Sequence, residues 1–138
     1  NPELTITKGN YTKIKPSKFE ILEIKKGISY LNKLNAHNHI QGIILRNGNI
    51  IAKETSKGTK KMLQRLRKSK AFNGMLIKFP KKEQDLRADL PTVGLETLKD
   101  CKKANIKGIV LKSNENIILD KNKCISFANK NKMFIAAK

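Results

Sequence analysis

Two short runs rich in β-branched residues, 41–46 and 49–54, are separated only by Asn47-Gly48. Asn-Gly readily adopts the positive backbone φ angles of a two-residue turn, so this sequence predicts a tight antiparallel hairpin. A hairpin has to bury its apolar face against other elements, and helical patterns flank this one on both sides. The hairpin therefore restricts the chain to a layered arrangement of helices on a sheet.

The helix before the hairpin has a clear start signal. Ser17 and Glu20 have the spacing of a capping box, in which each side chain accepts a backbone N–H of the other residue. An apolar stripe follows: Ile21, Ile24, Ile28 and Leu31. After the hairpin, Thr59 is expected to cap a basic helix that ends near Ser69, and residues 74–79 are expected to form an apolar strand.

The second half of the chain repeats this order of elements. A helix is predicted from Thr92 or Gly94, then two strands around residues 113–116, a helix capped by Asp120, and a last strand at 133–136. Helix, hairpin, helix and strand thus occur twice. The sequence predicts an α/β fold, a mixed sheet with flanking helices built from two such pseudo-repeats.

The chain of 138 residues has the size of one domain. Residues 1–16 lack any period, so we expect an extended lead-in, followed by the α/β domain at 17–138. No apolar run approaches the length of a membrane span. Cys101 and Cys124 lack the spacing of a disulfide framework or a metal site, which favours free thiols in a reducing compartment.

The formal net charge of +19 invites a nucleic-acid interpretation. Only four of the 30 basic residues are Arg, however, and aromatic residues are scarce. Interfaces that recognise base sequence rely on Arg, and RNA platforms rely on exposed aromatic rings. Specific nucleic-acid binding is therefore disfavoured. A basic module that binds anionic partners remains an alternative, and so does a compositional bias without functional meaning.

One acidic segment contrasts with this basic background. Asp85, Arg87 and Asp89 alternate with apolar residues, so an extended backbone would point all three side chains the same way. Two carboxylates can hold a hard cation or position a water, and the guanidinium between them suits a phosphate. The same pattern is also typical of an ion-paired surface loop, and spacing alone leaves both interpretations open.

This segment also carries a family resemblance. The chain resembles the C-terminal domain of the UDP-2,3-diacylglucosamine pyrophosphatases of lipid A biosynthesis that are unrelated to calcineurin-like phosphoesterases. The matching residues are Gln84-Asp85-Leu86-Arg87, Asp89-Leu90-Pro91 and Gly94, with weaker support at Thr12–Pro16, Gln41-Gly42, Gly58-Thr59 and Leu119-Asp120. The resemblance implies Mg²⁺-dependent hydrolysis of UDP-2,3-diacylglucosamine to UMP and 2,3-diacylglucosamine 1-phosphate (lipid X) in the cytoplasm.

The resemblance also implies roles for single residues. Asp85 and Asp89 are expected to bind Mg²⁺ or to position the attacking water, and Arg87 is expected to clamp a pyrophosphate oxygen. These three are the predicted catalytic residues. The predicted substrate-binding residues are Gln84, Gln41, Gly58, Thr59 and Lys60. A preceding nucleotide-binding-like domain, peripheral contact with the inner membrane and a homodimer are the partners that follow from the same resemblance.

Lys57-Gly58-Thr59-Lys60 departs from the family pattern, which usually reads Glu-Gly-Thr-Asp at this place. A Lys repels a cation and cannot act as a base while it is protonated. The departure therefore leaves open a catalytically impaired homologue in which Lys60 binds a phosphate directly.

Overall fold

A computed structural model describes residues 5–38, 41–66, 69–80 and 92–138. Within these residues the main sheet has six strands, in the spatial order β1 (Gly9–Asn10), β8 (Phe134–Ala137), β6 (Gly108–Leu111), β4 (Met75–Lys78), β2 (Gly42–Arg46) and β3 (Asn49–Lys53). A small sheet pairs β5 (Thr92–Val93) with β7 (Ile117–Ile118). The helices are α1 (Lys18–Asn38), α2 (Gly58–Gln64), α3 (Leu95–Lys103) and α4 (Lys121–Lys130). The predicted α/β class and mixed sheet are confirmed.

Strands β4, β6 and β8 run parallel in the middle of the sheet, whereas β1, β2 and β3 pair antiparallel with their neighbours. Residues of β6 and β8 are buried throughout, as expected for strands covered on both faces. One core lies between the sheet and α1 and includes Ile24, Ile43 and Ile77. The other, which includes Ile44 and Leu98, joins the opposite face to α2, α3 and α4.

The predicted capping box at the start of α1 is confirmed. The Ser17 N–H donates to Glu20 Oε1 over 2.9 Å, and the Glu20 N–H donates to Ser17 Oγ over 3.1 Å. These bonds satisfy backbone groups that a helix start otherwise leaves without partners. A Cβ at Gly27 would lie 2.5 Å from the Ile77 side chain, so the absence of one lets α1 approach the sheet closely.

The predicted hairpin is also confirmed. Asn47 and Gly48 have φ angles of 54° and 78°, which are typical of a two-residue turn. Within the hairpin Leu45 pairs with Ile50 and Ile44 pairs with Ala52, so Ile51 is an extra, bulged residue. The bulge directs Ile50 to the α1 core and Ala52 to the other core.

Three details of the predicted elements are wrong. Asp120 occupies the N-cap position of α4 but makes no capping hydrogen bond with its side chain. Helix α2 begins at Gly58 and ends at Gln64, and Thr59 does not cap it, because the Thr59 hydroxyl donates to Glu54 instead. In the second half, β6 and β7 belong to different sheets and form no hairpin. The backbone of Ile6 bonds to Asn114 and Asn116 and so occupies the space beside this turn. The structure does not confirm the pseudo-repeat.

The described part of the lead-in, residues 5–16, packs against the rest of the chain. It is extended, contributes β1 to the main sheet, and buries Ile6 and Thr12. The Thr12 hydroxyl accepts the Ile135 N–H over 3.1 Å. The boundary between this segment and the α/β domain stays a prediction. Among the described helices, none combines the length and apolar character that crossing a bilayer requires.

Gly108 provides a test of core packing, because a Cβ there would overlap the ring of Phe134. We expect Gly108→Ala to lower the free energy of unfolding by about 1–3 kcal/mol, as overpacking of a close-packed core does. Phe134→Leu should relieve part of this cost, so the double variant should lose less than the sum of the two single variants. Equilibrium urea unfolding measures all three, and strictly additive losses would contradict the close contact.

The two cysteines are buried free thiols in α3 and α4, as the sequence predicts. Burial and the nearby Asp100 raise the pKa of Cys101, and burial and Asp120 raise the pKa of Cys124. Since the thiolate is the nucleophile, both thiols should be unreactive at neutral pH. We expect mass spectrometry to find neither alkylated by iodoacetamide in the native protein and both alkylated in denaturing urea. Rapid native labelling of either would refute the packing around it.

Candidate active site

Strands β4, β6 and β8 end at one edge of the main sheet, which we call the carboxyl edge. Lys78 of β4 lies opposite Leu111 of β6, and Leu111 lies opposite Ala137 of β8. The antiparallel strand β2 begins at this edge, since Gly42 pairs with Lys78. In open α/β sheets, ligands bind outside the carboxyl ends of the parallel strands. A ligand site is therefore expected at the carboxyl edge.

Three polar side chains meet at this edge and form what we call the Glu54 cluster: Glu54, Thr59 and Lys78. The Thr59 hydroxyl donates to Glu54 Oε1 over 3.0 Å and accepts a hydrogen bond from Lys78 Nζ. Lys78 Nζ lies 3.5 Å from the same carboxylate oxygen. The Lys78 and Glu54 side chains are only 13% and 8% exposed, so this ion pair is largely shielded from water.

Local sequence explains how the three side chains come together. The hairpin carries Glu54 past the end of β3, where its N–H donates to the Gly42 carbonyl over 2.8 Å. Gly58, with a φ of +90°, then reverses the chain, a conformation that residues with a Cβ rarely adopt. This reversal places Thr59 in the first turn of α2 with its hydroxyl directed back to Glu54.

Gly42 lies directly beside the Glu54 cluster. A Cβ at this position would lie 2.6 Å from Glu54 Oε2, so a larger residue would require the carboxylate to shift. Glu54 Oε2 is buried without a hydrogen-bond partner. A buried carboxylate oxygen without a partner is unfavourable, and such groups often mark a place where a ligand or water binds.

The ammonium group of Lys78 has three N–H groups, of which two point to Thr59 and Glu54. A second cation lies along the edge, because Lys112 Nζ is 5.9 Å from the centre of the Phe79 ring and 2.9 Å from Glu115. Each ammonium group at the carboxyl edge is paired with a carboxylate and keeps further N–H groups. These donors suit an oxyanion such as a phosphate.

The structure brings some of the predicted site residues to this edge. Gly58 and Thr59 lie at the Glu54 cluster, and the carbonyl of Gln41 accepts the Phe79 N–H over 2.8 Å. Lys60 lines the groove between α2 and α3 with Asp100 and Lys103, and takes no part in the hydrogen bonds of the cluster. These substrate-binding roles stay predictions.

Gln84, Asp85, Arg87 and Asp89 lie outside the described residues. The nearest described residues on either side of them are Pro80 and Thr92. Pro80 follows the end of β4 by two residues, and Thr92 begins β5, which pairs with β7. The catalytic roles of the three charged residues therefore remain predictions from the sequence.

Sequence reasoning missed Glu54 and Lys78. The signal for Lys78 was present, since it is a charged residue next to the buried run Met75–Ile77, and such a residue needs a partner. Glu54 gave a weaker signal as the acidic residue that directly follows the hairpin. Nothing local pairs them, because 24 positions separate the two.

The described residues contain no group of three or more His, Cys, Asp or Glu that could hold a metal ion. At the Glu54 cluster the ammonium of Lys78 already balances the carboxylate, so this part of the edge does not by itself fit a divalent cation. Mg²⁺ binding by Asp85 and Asp89 stays a prediction.

Comparison with known proteins identifies the family of this chain. The sequence model named LpxI C-terminal domain matches residues 7–136, nearly the whole chain. The chain belongs to the LpxI C-terminal domain family. A relative in Caulobacter vibrioides, the UDP-2,3-diacylglucosamine pyrophosphatase LpxI, is 27% identical over 141 residues. That match covers 96% of this chain and 50% of the relative, so this LpxI-type chain spans about half the relative's length.

The contribution of the buried Glu54–Lys78 pair to the stability of this LpxI-type domain can be measured. We expect Lys78→Met to lower the free energy of unfolding by about 1–3 kcal/mol, because it leaves the Glu54 carboxylate buried and unpaired. Adding Glu54→Gln should recover part of the loss. Urea unfolding measures both variants.

Lys112→Met is the matched control, because the ion pair of Lys112 with Glu115 is more exposed. Its effect should stay within about 0.5 kcal/mol, as for ordinary surface pairs. Equal losses in Lys78→Met and Lys112→Met would show that the Glu54 cluster contributes no more than a surface ion pair.

Proposed function

We propose that the full-length protein hydrolyses the pyrophosphate bond of UDP-2,3-diacylglucosamine and releases UMP and 2,3-diacylglucosamine 1-phosphate, with this chain as its C-terminal half. Two facts support the proposal. The chain belongs to the LpxI C-terminal domain family, and its Caulobacter relative is named for this substrate. The structural observation that carries it is the shielded ammonium of Lys78 at the carboxyl edge.

The chemistry explains why a shielded cation matters. Water adds to one phosphorus atom, the bridging P–O bond breaks, and negative charge moves to the departing phosphate. Fixed cations and hydrogen-bond donors stabilise this charge, and they act more strongly where water is excluded. Lys78 supplies such a donor, so we assign it to a phosphate oxygen of the substrate.

Glu54 and Thr59 act through Lys78 in this proposal. Both contact Lys78 Nζ, which fixes the direction of the ammonium group. A fixed ammonium needs no reorganisation when charge develops in the transition state. Glu54 and Thr59 are therefore positioning residues, and we expect their variants to lower kcat more than they raise KM.

The acidic segment completes the proposed site. Arg87 would clamp a second pyrophosphate oxygen, and Asp85 and Asp89 would position the attacking water and accept its proton. These carboxylates are also the residues that would hold Mg²⁺, which would offset the charge of the pyrophosphate. Gln84 and Gln41 would contact the substrate, and Lys60 would contribute a further cation from the groove between α2 and α3.

The test is Mg²⁺-dependent release of UMP from UDP-2,3-diacylglucosamine in detergent by the full-length protein. We expect Asp85→Ala to abolish turnover, and Lys78→Met to lower kcat/KM by about 100-fold or more, as removal of one oxyanion donor does. Lys99→Met, which changes an exposed lysine of α3, should leave turnover unchanged. Circular dichroism of each variant separates loss of chemistry from loss of fold.

Other outcomes would change the proposal in defined ways. Full turnover in folded Lys78→Met would remove the Glu54 cluster from the site. Binding of the UDP-lipid without any release of UMP would favour the catalytically impaired homologue that Lys57 and Lys60 suggest. In that case Lys60→Asp should weaken lipid binding, and unchanged binding would exclude a phosphate contact by Lys60.

A further inference from the structure

The exposed side of α1 differs from the rest of the helical surface. Lys18, Leu22, Lys25 and Ser29 follow one another at helical spacing along it, with Phe19 and Lys26 beside them. We call these six residues the α1 outer face. Phe19 and Leu22 are 57% and 63% exposed, although both are large and apolar. The lysines of this face are exposed as well.

No exposed carboxylate accompanies these lysines in the first three turns of α1. The two acidic residues of that part, Glu20 and Glu23, are 7% and 4% exposed and face the protein. Glu20 bonds to Ser17 and pairs with Lys107, and Glu23 accepts the Gly48 N–H over 2.8 Å. The outer face is therefore uniformly basic around an apolar centre.

The opposite side of α1 holds the helix firmly in place. Ile24 and Leu31 are buried against the sheet, and Gly27 allows close approach. The outer face is thus preformed, and a partner that binds it need not first order the helix. Lys26 Nζ also donates to the Gly48 carbonyl over 2.6 Å, which ties this side of α1 to the hairpin turn.

A helix surface with large apolar residues in its centre, lysines around them and no acidic group matches the chemistry of an anionic lipid surface. Phosphate groups would meet Lys18 and Lys25, while Phe19 and Leu22 would enter the boundary between headgroups and acyl chains. A nucleic acid would satisfy the lysines but would leave Leu22 without an apolar partner. We propose that the α1 outer face docks the protein on anionic lipid bilayers, independently of its proposed hydrolytic function.

The experiment measures sedimentation of the full-length protein with phosphatidylcholine vesicles, with and without phosphatidylglycerol. We expect binding only to the anionic vesicles, and weaker binding as the salt concentration rises. Phe19→Ala/Leu22→Ala should reduce the partition coefficient by about tenfold or more, because the variant removes the two apolar groups that enter the boundary. Lys18→Gln/Lys25→Gln should reduce it similarly.

Control variants place changes of the same kind elsewhere on the surface. Leu119→Ala truncates an apolar side chain that is 55% exposed outside α1, and Lys99→Gln/Lys123→Gln removes two exposed lysines of α3 and α4. Both controls should bind like the wild type. Equal losses in α1 and control variants would reduce the effect to general charge attraction and overturn the proposal.

Absence of binding by the wild-type protein would also overturn the proposal, and would favour coverage of this face by another part of the full-length protein. Binding that resists the Phe19 and Leu22 changes would place the contact on another surface. Because UMP release is measured in detergent, failure of vesicle binding leaves the proposed hydrolysis standing, and the reverse also holds.

Discussion

The parallel pairing of β4 with β6 is the constraint on which the rest of the structure depends. It buries both strands between α1 on one face and α2, α3 and α4 on the other. Such strands expose polar groups only at their ends, so Lys78 lies where β4 leaves the core. A cation at that depth needs a partner, and the hairpin supplies Glu54. Packing and the candidate site are thus consequences of one strand arrangement.

The elements that the sequence predicted correctly have signals within a few residues of one another. The capping box at Ser17 and the turn at Asn47-Gly48 are specified by neighbouring residues, and both are present in the folded chain. The prediction of a second hairpin failed for a nonlocal reason. The backbone of Ile6, which is distant in sequence, makes hydrogen bonds with residues 114 and 116. Periodicity cannot show that a distant segment competes for the same backbone groups.

The residues of the candidate site likewise include some that the sequence indicated and some that it did not. Gly58 and Thr59 were predicted through the family resemblance, and the structure gives Thr59 a definite partner in Glu54. The pairing of Glu54 with Lys78 depends on strand register, which the sequence expresses only indirectly. The roles of the charged residues in the acidic segment remain predictions from the sequence and the family resemblance. The structure describes the chain up to Pro80 and again from Thr92.

The bulge at Ile51 affects how copies of this domain can meet. It lies on β3, an outermost strand of the main sheet, and interrupts the regular row of backbone groups that another strand would need. At the opposite end of that sheet, β1 is two residues long. In the part of the chain that the structure describes, neither border of the main sheet favours sheet growth from one molecule into the next. A dimer of this domain is therefore expected to form through helices and loops, which would leave the strand order unchanged on assembly.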